Sequence, residues 1–465
     1  MALPVVLTNS VSGSDAAASG AGPATALTGT AATTNAGGTV VTLDGSPDLT
    51  GVLADGSHAC FLLDSTAGAR NFGKITAVDN VAKTVTVSNA FRGSIPAGDS
   101  IDWAIGGKRA SIGGTTSVKL FTNNLSVGDA MPGWIVEMES AHAETLTAAL
   151  TFSRDGDVTD GPIALRGTSG AATRPILTFS NNGNGLVLAN DFLVLQAFDL
   201  KNTNATKTAS VAIAINGSTF GNRIENVKIA DVTDNFWKAI VVAASNSTGL
   251  IHLCELGRTA SDVVTLTTAA YTLLANYIHN GLAIGVSVPS GSAVLINNII
   301  YNCTGDGVNR GITLATANVL IIDGNTIDDN GGDGIEIAGV PGVNMTGWQI
   351  INNQLTNSSA YGLNFSDAGS TAAALNALGM IVNANNTFGN VTAAYNPAGY
   401  GSGDSAVNPD YTDPAAGDWS LRADELRDIG YPAAINIGTV SATLSHLDPG
   451  AAQIDVATSL LGGVS

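Results

Sequence analysis

The sequence predicts an all-β protein whose body is a parallel β-helix of about ten coils, with a small antiparallel β-domain before it and a capping segment after it. Three observations carry that expectation. A motif Asn-x-apolar-x-Asn/Asp returns from Asn276, Asn298, Asn325, Asn353 and Asn386, at spacings of 22, 27, 28 and 33 residues. Short runs with alternating apolar residues stand on either side of most returns, and alternation over three to five residues means strand, not helix. The breaks between runs are Asn, Asp and Gly, which tolerate left-handed turns.

Taken in chain order, residues 1–37 form a Gly/Ala/Ser/Thr-rich arm, since 8–35 hold almost no large apolar side chain. Residues 38–111 read as a small β-barrel or sandwich for attachment or capping. Thr39–Leu43, Cys60–Leu63, Lys74–Val78, Thr84–Val87 and Ile101–Trp103 are its strands, separated by Gly, Asp and Asn turns. Residues 112–398 are the β-helix, roughly 50 Å of stack at ~4.8 Å per coil. Residues 399–465 are the cap and tail, needed because an open last coil exposes unpaired edges and apolar core.

Within the helix each repeat holds three short runs. The Asn anchor is followed by Gly281–Ile284, Gly311–Leu314, Gly334–Ile337 and Gly362–Phe365, and preceded by Val294–Ile296, Val319–Ile322 and Trp348–Ile351. Such a unit cannot bury its apolar face alone, and stacking supplies the core. Asn276, Asn298, Asn325, Asn353 and Asn386 are expected to form a ladder, each amide bonding to the one above and below. Upstream the register continues more weakly through Phe198–Asn202, Asn226–Ile229 and Cys254–Leu256.

Composition narrows the function. The chain carries 19 Lys+Arg against 38 Asp+Glu, a net charge of −19, and no Lys or Arg from Gly311 to Leu421. A nucleic-acid partner needs clustered cations, and an acidic polysaccharide is disfavoured by the same Coulomb argument. No run of about 18 apolar residues predicts membrane insertion. No leader with a basic and then an apolar stretch is read at the start. Cys60, Cys254 and Cys303 are isolated and expected as buried small hydrophobes. His58, His142, His252, His279 and His446 lack ligand spacing, so no metal and no cofactor are expected.

The repeat Asn325–Ile337, the start Val11–Gly20 and the tail Asn408–Leu421 resemble the pectin-lyase-like right-handed parallel β-helix superfamily. Together with Ile105–Ala110 they look like β-helix proteins of tailed phages, either virion decoration proteins or tailspikes. The resemblance implies a right-handed helix and a choice between structural and carbohydrate-active roles. A lyase of that superfamily needs a basic residue and cations beside a uronate. Lys201, Lys207, Arg223, Lys228, Lys238, Arg258 and Arg310 are scattered and form no such motif. A glycoside hydrolase needs paired carboxylates ~5–9.5 Å apart. The candidates are Asp328, Glu336 and Asp333, within a cluster that also holds Asp323 and Asp329. Alternation turns Asp328 and Glu336 outward from two strands of one coil, while Asp329 and Asp333, at turns, are the weak Ca²⁺ candidates. A solvated acidic edge is the simpler expectation for the whole cluster. Tyr277, His279, Ile299 and Tyr301 are expected as one outward patch across two coils, serving a subunit interface or a glycan, unless a local loop covers it.

These readings favour a structural virion protein, a non-catalytic homotrimer on the capsid or in a spike, with itself and the major capsid or tail proteins as partners. One alternative is a tailspike that binds or hydrolyses host surface polysaccharide. A secreted bacterial β-helix adhesin or carbohydrate-active enzyme is the other.

Overall fold

The computed structural model describes residues 5–9, 27–29, 32–35, 38–52, 54, 59–64, 69–88, 101–106, 134–138, 142–152, 155–156, 161–167, 173–233, 235–243, 247–311, 319–338, 345–366, 371–413 and 418–421. Among them the strands assemble into a parallel β-helix, a separate antiparallel sheet and one short hairpin.

One coil shows the plan of all. Leu320–Asp323, Thr326–Asp328 and Ile335–Ala338 are its leading, middle and trailing strands. Each pairs in parallel with its equivalent in the next coil, at Gln349–Ile351, Gln354–Thr356 and Tyr361–Phe365. The middle sheet has ten strands, from Ala143–Leu146 to Asn386–Phe388. Val264–Leu274 and Val286–Ile296 are long because each runs without a break from a trailing strand into the next leading strand. Bridges from Asn383 to Ser402 and from Asn386 to Ser405 start a partial further turn. A six-residue helix, Ala372–Ala377, capped by the Thr371 side chain, fills the loop before the last coil.

The core follows the alternation. On the middle strands Leu177, Leu200, Leu256, Ile278, Ile300, Ile327 and Leu355 point inward and are at most 1% exposed. On the leading strands Leu195, Ile224, Ile251, Leu273, Leu295, Ile322 and Ile350 do the same. Aligned side chains thereby form continuous apolar files along the axis, the packing that a repeat without its own core requires.

Two corners set the shape. Before eight of the ten middle strands stands a left-handed residue: Ala275, Asn297, Gly324, Asn352 and Ala384 in the later coils, and Ala197, Asn226 and Leu253 earlier. After the last five stands another: Asn280, Asn302, Asp329, Asn357 and Gly389. Asn, Asp and Gly at these corners reflect the low steric cost of positive φ for those residue types.

The trailing strands open on a file of glycines. A Cβ on Gly285 would lie 2.6 Å from the Gly307 carbonyl oxygen, one on Gly307 2.7 Å from that of Gly334, and one on Gly334 2.6 Å from that of Gly362. The trailing run is therefore aligned on Gly285, Gly307, Gly334 and Gly362. This corrects the expected alignment on Gly281 and Gly311, because Val308, not Ile312, pairs with Ile335. Residues 312–314 lie outside the described residues.

Ahead of the helix, seven strands form one antiparallel sheet. Their order is Leu27–Gly29, Ile101–Gly106, Ala59–Asp64, Ala69–Asp79, Thr84–Val87, Val40–Leu43, Ala32–Thr34. It has its own core of Val41, Cys60, Leu62, Ile75, Val85, Trp103 and Ile105, with the Trp103 indole donating to Asp44 at 2.5 Å. Two strands of this sheet fall in the segment expected as an arm. Val5–Asn9 of that segment pairs in parallel with Trp134–Met138 and so lies on the leading sheet of the helix. Small residues there do not prevent a strand, since backbone pairing asks nothing of the side chain. No helix among the described residues is long and apolar enough to cross a membrane.

Candidate functional site

The polar residues of the later coils fall into three groups. The first is the asparagine file at the corner before the middle sheet. Asn276 donates its backbone N–H and its side-chain amide to Asn298 Oδ1, at 3.0 and 2.9 Å. Asn298 repeats this on Asn325 and Asn325 on Asn353. Each side chain also donates to a carbonyl of the preceding coil, as Asn325 does to Leu295 at 2.9 Å. The file ends on Asn385, which takes both bonds from Asn353 at 3.0 Å. Asn386, the expected fifth member, is instead paired with Gln354 on the middle strand and donates to its Oε1 at 2.8 Å. The tandem Asn385-Asn386 makes the local motif ambiguous by one residue, and only stacking on Asn353 resolves it. Upstream the same corner is apolar, with Phe198, Val227 and Cys254 all buried.

The second group is the outward face of the middle sheet. Tyr277 and Ile299 are cross-strand partners, as are His279 and Tyr301, so the four expected patch residues do come together. Tyr277 and His279 stack with ring centroids 4.2 Å apart. The patch is nonetheless largely covered: Ile299 is 2% exposed and His279 3%. Burial drives the His279 imidazole towards its neutral form, against the pull of Glu255, whose carboxylate lies 3.5 Å away. Burial works against Glu255 too, yet His279 and Lys228, the latter at 2.7 Å, hold that carboxyl below its ordinary range. Arg174, absent from the expected set of cations, pairs with Asp199 at 2.8 Å on this face and donates to Asn226 Oδ1 at 3.0 Å.

Asp328 continues the same column. It points outward as alternation requires, but it is 3% exposed. Thr356 Oγ1 donates to Asp328 Oδ1 at 2.6 Å and Asn357 Nδ2 at 2.8 Å. The Tyr411 hydroxyl, from the segment after the last coil, sits 3.2 Å from Thr356 Oγ1. Because the Thr356 proton is committed to Asp328, Tyr411 is the donor of that pair. Burial raises the Asp328 carboxyl to about 6, with these hydrogen bonds opposing and Asp329 adding to the rise. The expectation of a solvated edge is thus corrected at Asp328, because the next coil and the following segment cover it.

The third group lies where the trailing strands begin. Carboxylate oxygens of Asp306, Asp333 and Glu336 lie within 4.8 Å of one another. Asp306 Oδ1 accepts the Asp333 backbone N–H at 2.8 Å; Asp333 accepts the Tyr361 N–H at 2.8 Å and the Asn364 amide at 2.7 Å. Burial raises the carboxyls of Asp333 and Glu336, and a hydrogen bond to Asp306 holds the Glu336 proton further. Three such oxygens can share a proton or face a hard cation. Asp328 and Asp329 are not among the three, and Asp329 is a left-handed corner residue. Sequence reasoning missed Asp306. Its signal was the tripeptide Asp306-Gly-Val308, repeated 27 residues later as Asp333-Gly-Ile335. The three cysteines are all buried, and burial raises the thiols of Cys254 and Cys303 to about 12.

A family model described as a right-handed β-helix region matches residues 211–379, and the helix is right-handed. No curated protein matches the sequence. Among solved structures the chain is similar to a rhamnogalacturonan lyase at 12% identity and a TM-score of 0.43, over 66% of this chain and 92% of that one. It is similar to the mannuronan C-5 epimerase A-module of Azotobacter vinelandii at 12% identity and a TM-score of 0.37, over 58% and 86%. It is similar to the Dettilon tailspike protein at 12% identity and a TM-score of 0.34, over 58% and 64%.

Proposed function

We propose that this chain is a structural protein of a tailed-phage particle, a rigid and non-catalytic β-helix that decorates the capsid or forms a spike as a homotrimer. One observation carries the reading: the polar side chains of the coils are spent on holding coil to coil. The file Asn276–Asn298–Asn325–Asn353–Asn385 bonds five successive coils through buried amides. The carboxylates that a hydrolase would present to substrate are drawn into the same web, Asp328 by Thr356 and Asn357, Asp333 by Tyr361 and Asn364. A general acid or base must reach the bond it acts on, and Asp328 at 3% exposure does not meet solvent. A separate antiparallel sheet with its own core supplies a module that can attach while the rod projects. The partners in this reading are further copies of the chain and the major capsid or tail proteins.

A second reading is favoured by one observation, the convergence of Asp306, Asp333 and Glu336. It is a tailspike that binds or cleaves host surface polysaccharide.

Co-sedimentation of the purified protein with tail-less capsids, and in parallel with isolated tails, tests the first reading. Saturable binding to capsids identifies a decoration protein, and saturable binding to tails a spike. Binding to neither overturns the virion role. Release of host glycan that Glu336→Gln abolishes overturns the non-catalytic part.

A further inference from the structure

The leading sheet differs from the other two in its outward face. From Thr248 onward the outward residues there include Leu250, Leu274, Val294, Ile296, Ile321 and Ile351, all half-buried, and Ile381, which is 51% exposed, with Thr272, Asp323 and Gln349 between them. Strand pairing stacks them: Leu250 on Thr272, Thr272 on Val294, Val294 on Ile321, and so through Gln349 to Ile381. Leu274 is paired with Ile296 in the neighbouring column, and Val319, 41% exposed, extends the edge. Inward-facing neighbours on the same strands are already satisfied by the core, with Ile251, Leu273, Leu295, Ile322 and Ile350 at 0% exposure.

Two of these strands therefore carry unbroken aliphatic runs, Val294-Leu-Ile296 and Leu320-Ile-Ile322, where the middle strands alternate as Tyr277-Ile-His279 and Thr326-Ile-Asp328. In parallel sheets a continuous apolar run marks a strand covered on both faces. Four aliphatic side chains in this six-coil column, with Leu274, Ile296 and Ile351 in the column beside it, are also more than the single exposed apolar residues that ordinary surfaces carry.

We propose that this face is where copies of the chain associate side by side, with the leading sheets packed against each other. Charge argues for a second copy. The chain carries a net charge of −19, so two copies repel unless they meet where charge is missing. On the leading strands from Thr248 to Asn383 the one carboxylate is Asp323, and it already holds the Asn352 amide at 2.9 Å. The middle sheet, by contrast, exposes Lys201, Lys228 and Asp199 to its outward side. The proposal rests on the homo-oligomeric part of the reading above and names its surface.

The test is the mass of the full chain in solution, by sedimentation velocity, for the unmodified protein and for Ile321→Lys with Val294→Lys. The expected result is an oligomer for the first and a monomer for the second, self-association falling at least tenfold with an unchanged β circular-dichroism spectrum. Leu282→Lys, at a 66% exposed residue off this face, is expected to keep the oligomer. If the lysine pair does not fold, Ile321→Thr with Val294→Thr, which keeps β-branching, is expected to weaken association in the same direction. An unmodified protein that is monomeric overturns the homo-oligomeric reading and this face together. An oligomer that survives the substitutions overturns this face alone. So does a variant of unchanged mass in which the 44 residues after Leu421 become newly sensitive to protease, since the chain's own tail would then be the cover.

Discussion

The Oδ1 atom of Asn325 accepts two hydrogen bonds from Asn298, one from the backbone N–H and one from the side-chain amide, each at 2.9 Å. The two residues are 27 apart in sequence and stacked in space. Both are at most 1% exposed, so no water replaces either bond. Every interior member of the file is placed in this way, and the file closes a corner that buried Phe198, Val227 and Cys254 close in the earlier coils.

Asn325→Ala removes an acceptor and two donors at once. Asn298 loses the partner of its N–H and of its amide, and the Leu295 carbonyl loses the donor at 2.9 Å. Each buried group left unsatisfied costs about 1–3 kcal/mol, so a loss of about 3–5 kcal/mol is expected. Urea unfolding followed by circular dichroism measures it. A loss below about 1 kcal/mol would mean the file contributes shape without cohesion.

The glycine file gives a contrast between two substitutions. In Gly307→Ala the new Cβ meets Ile327 Cγ2 at 2.5 Å and the Gly334 carbonyl oxygen at 2.7 Å, and the latter is backbone that cannot turn aside. A destabilisation of about 2–4 kcal/mol is expected. Gly183→Ala meets nothing within 4 Å and is expected to be neutral or slightly stabilising. Equal melting points for the two variants would contradict the close approach of successive trailing strands.

Asp328 makes stability depend on pH. Its carboxyl titrates at about 6 in the folded chain against a model-peptide value of 3.8, so the folded state binds the extra proton between those values. Stability contributed by that proton is present at low pH and lost as pH rises through about 6. Above it, the fold holds a buried carboxylate at a cost on the order of 1–3 kcal/mol. Asn in its place keeps an acceptor for Thr356 and Asn357 and carries no charge. Asp328→Asn is therefore expected to raise the thermal midpoint by a few degrees at pH 8, with the gap narrowing towards pH 5. A gap that widens on acidification would reverse the sign and refute the assignment.

Much of the architecture was legible along the chain. Asn, Gly and alternating apolar residues at 22–33-residue spacing specify strands, corners and a stack, because each is a local preference of backbone and side chain. The strands at Cys60, Lys74, Thr84 and Ile101 were legible for the same reason. Register was legible only to within the repeat of the motif. The choice of Asn385 over Asn386, and of Gly307 over Gly311, depends on contacts between coils that no short window contains.

The candidate site was legible in part and for the opposite reason. Alternation says which side chains leave the core, and it placed Asp328, Glu336, Tyr277 and His279 on the outer face. It does not say what lies over them. Tyr411 reaches Thr356 across 55 residues of sequence, and Asp306 meets Asp333 across 27. Whether an outward carboxylate is a solvated charge or a raised, buried acid is set by those distant neighbours, since solvation and Coulomb terms sum over everything nearby in space. Strand, turn and repeat came from chemistry between adjacent residues; burial, proton affinity and the apolar outer face came from stacking one coil on the next.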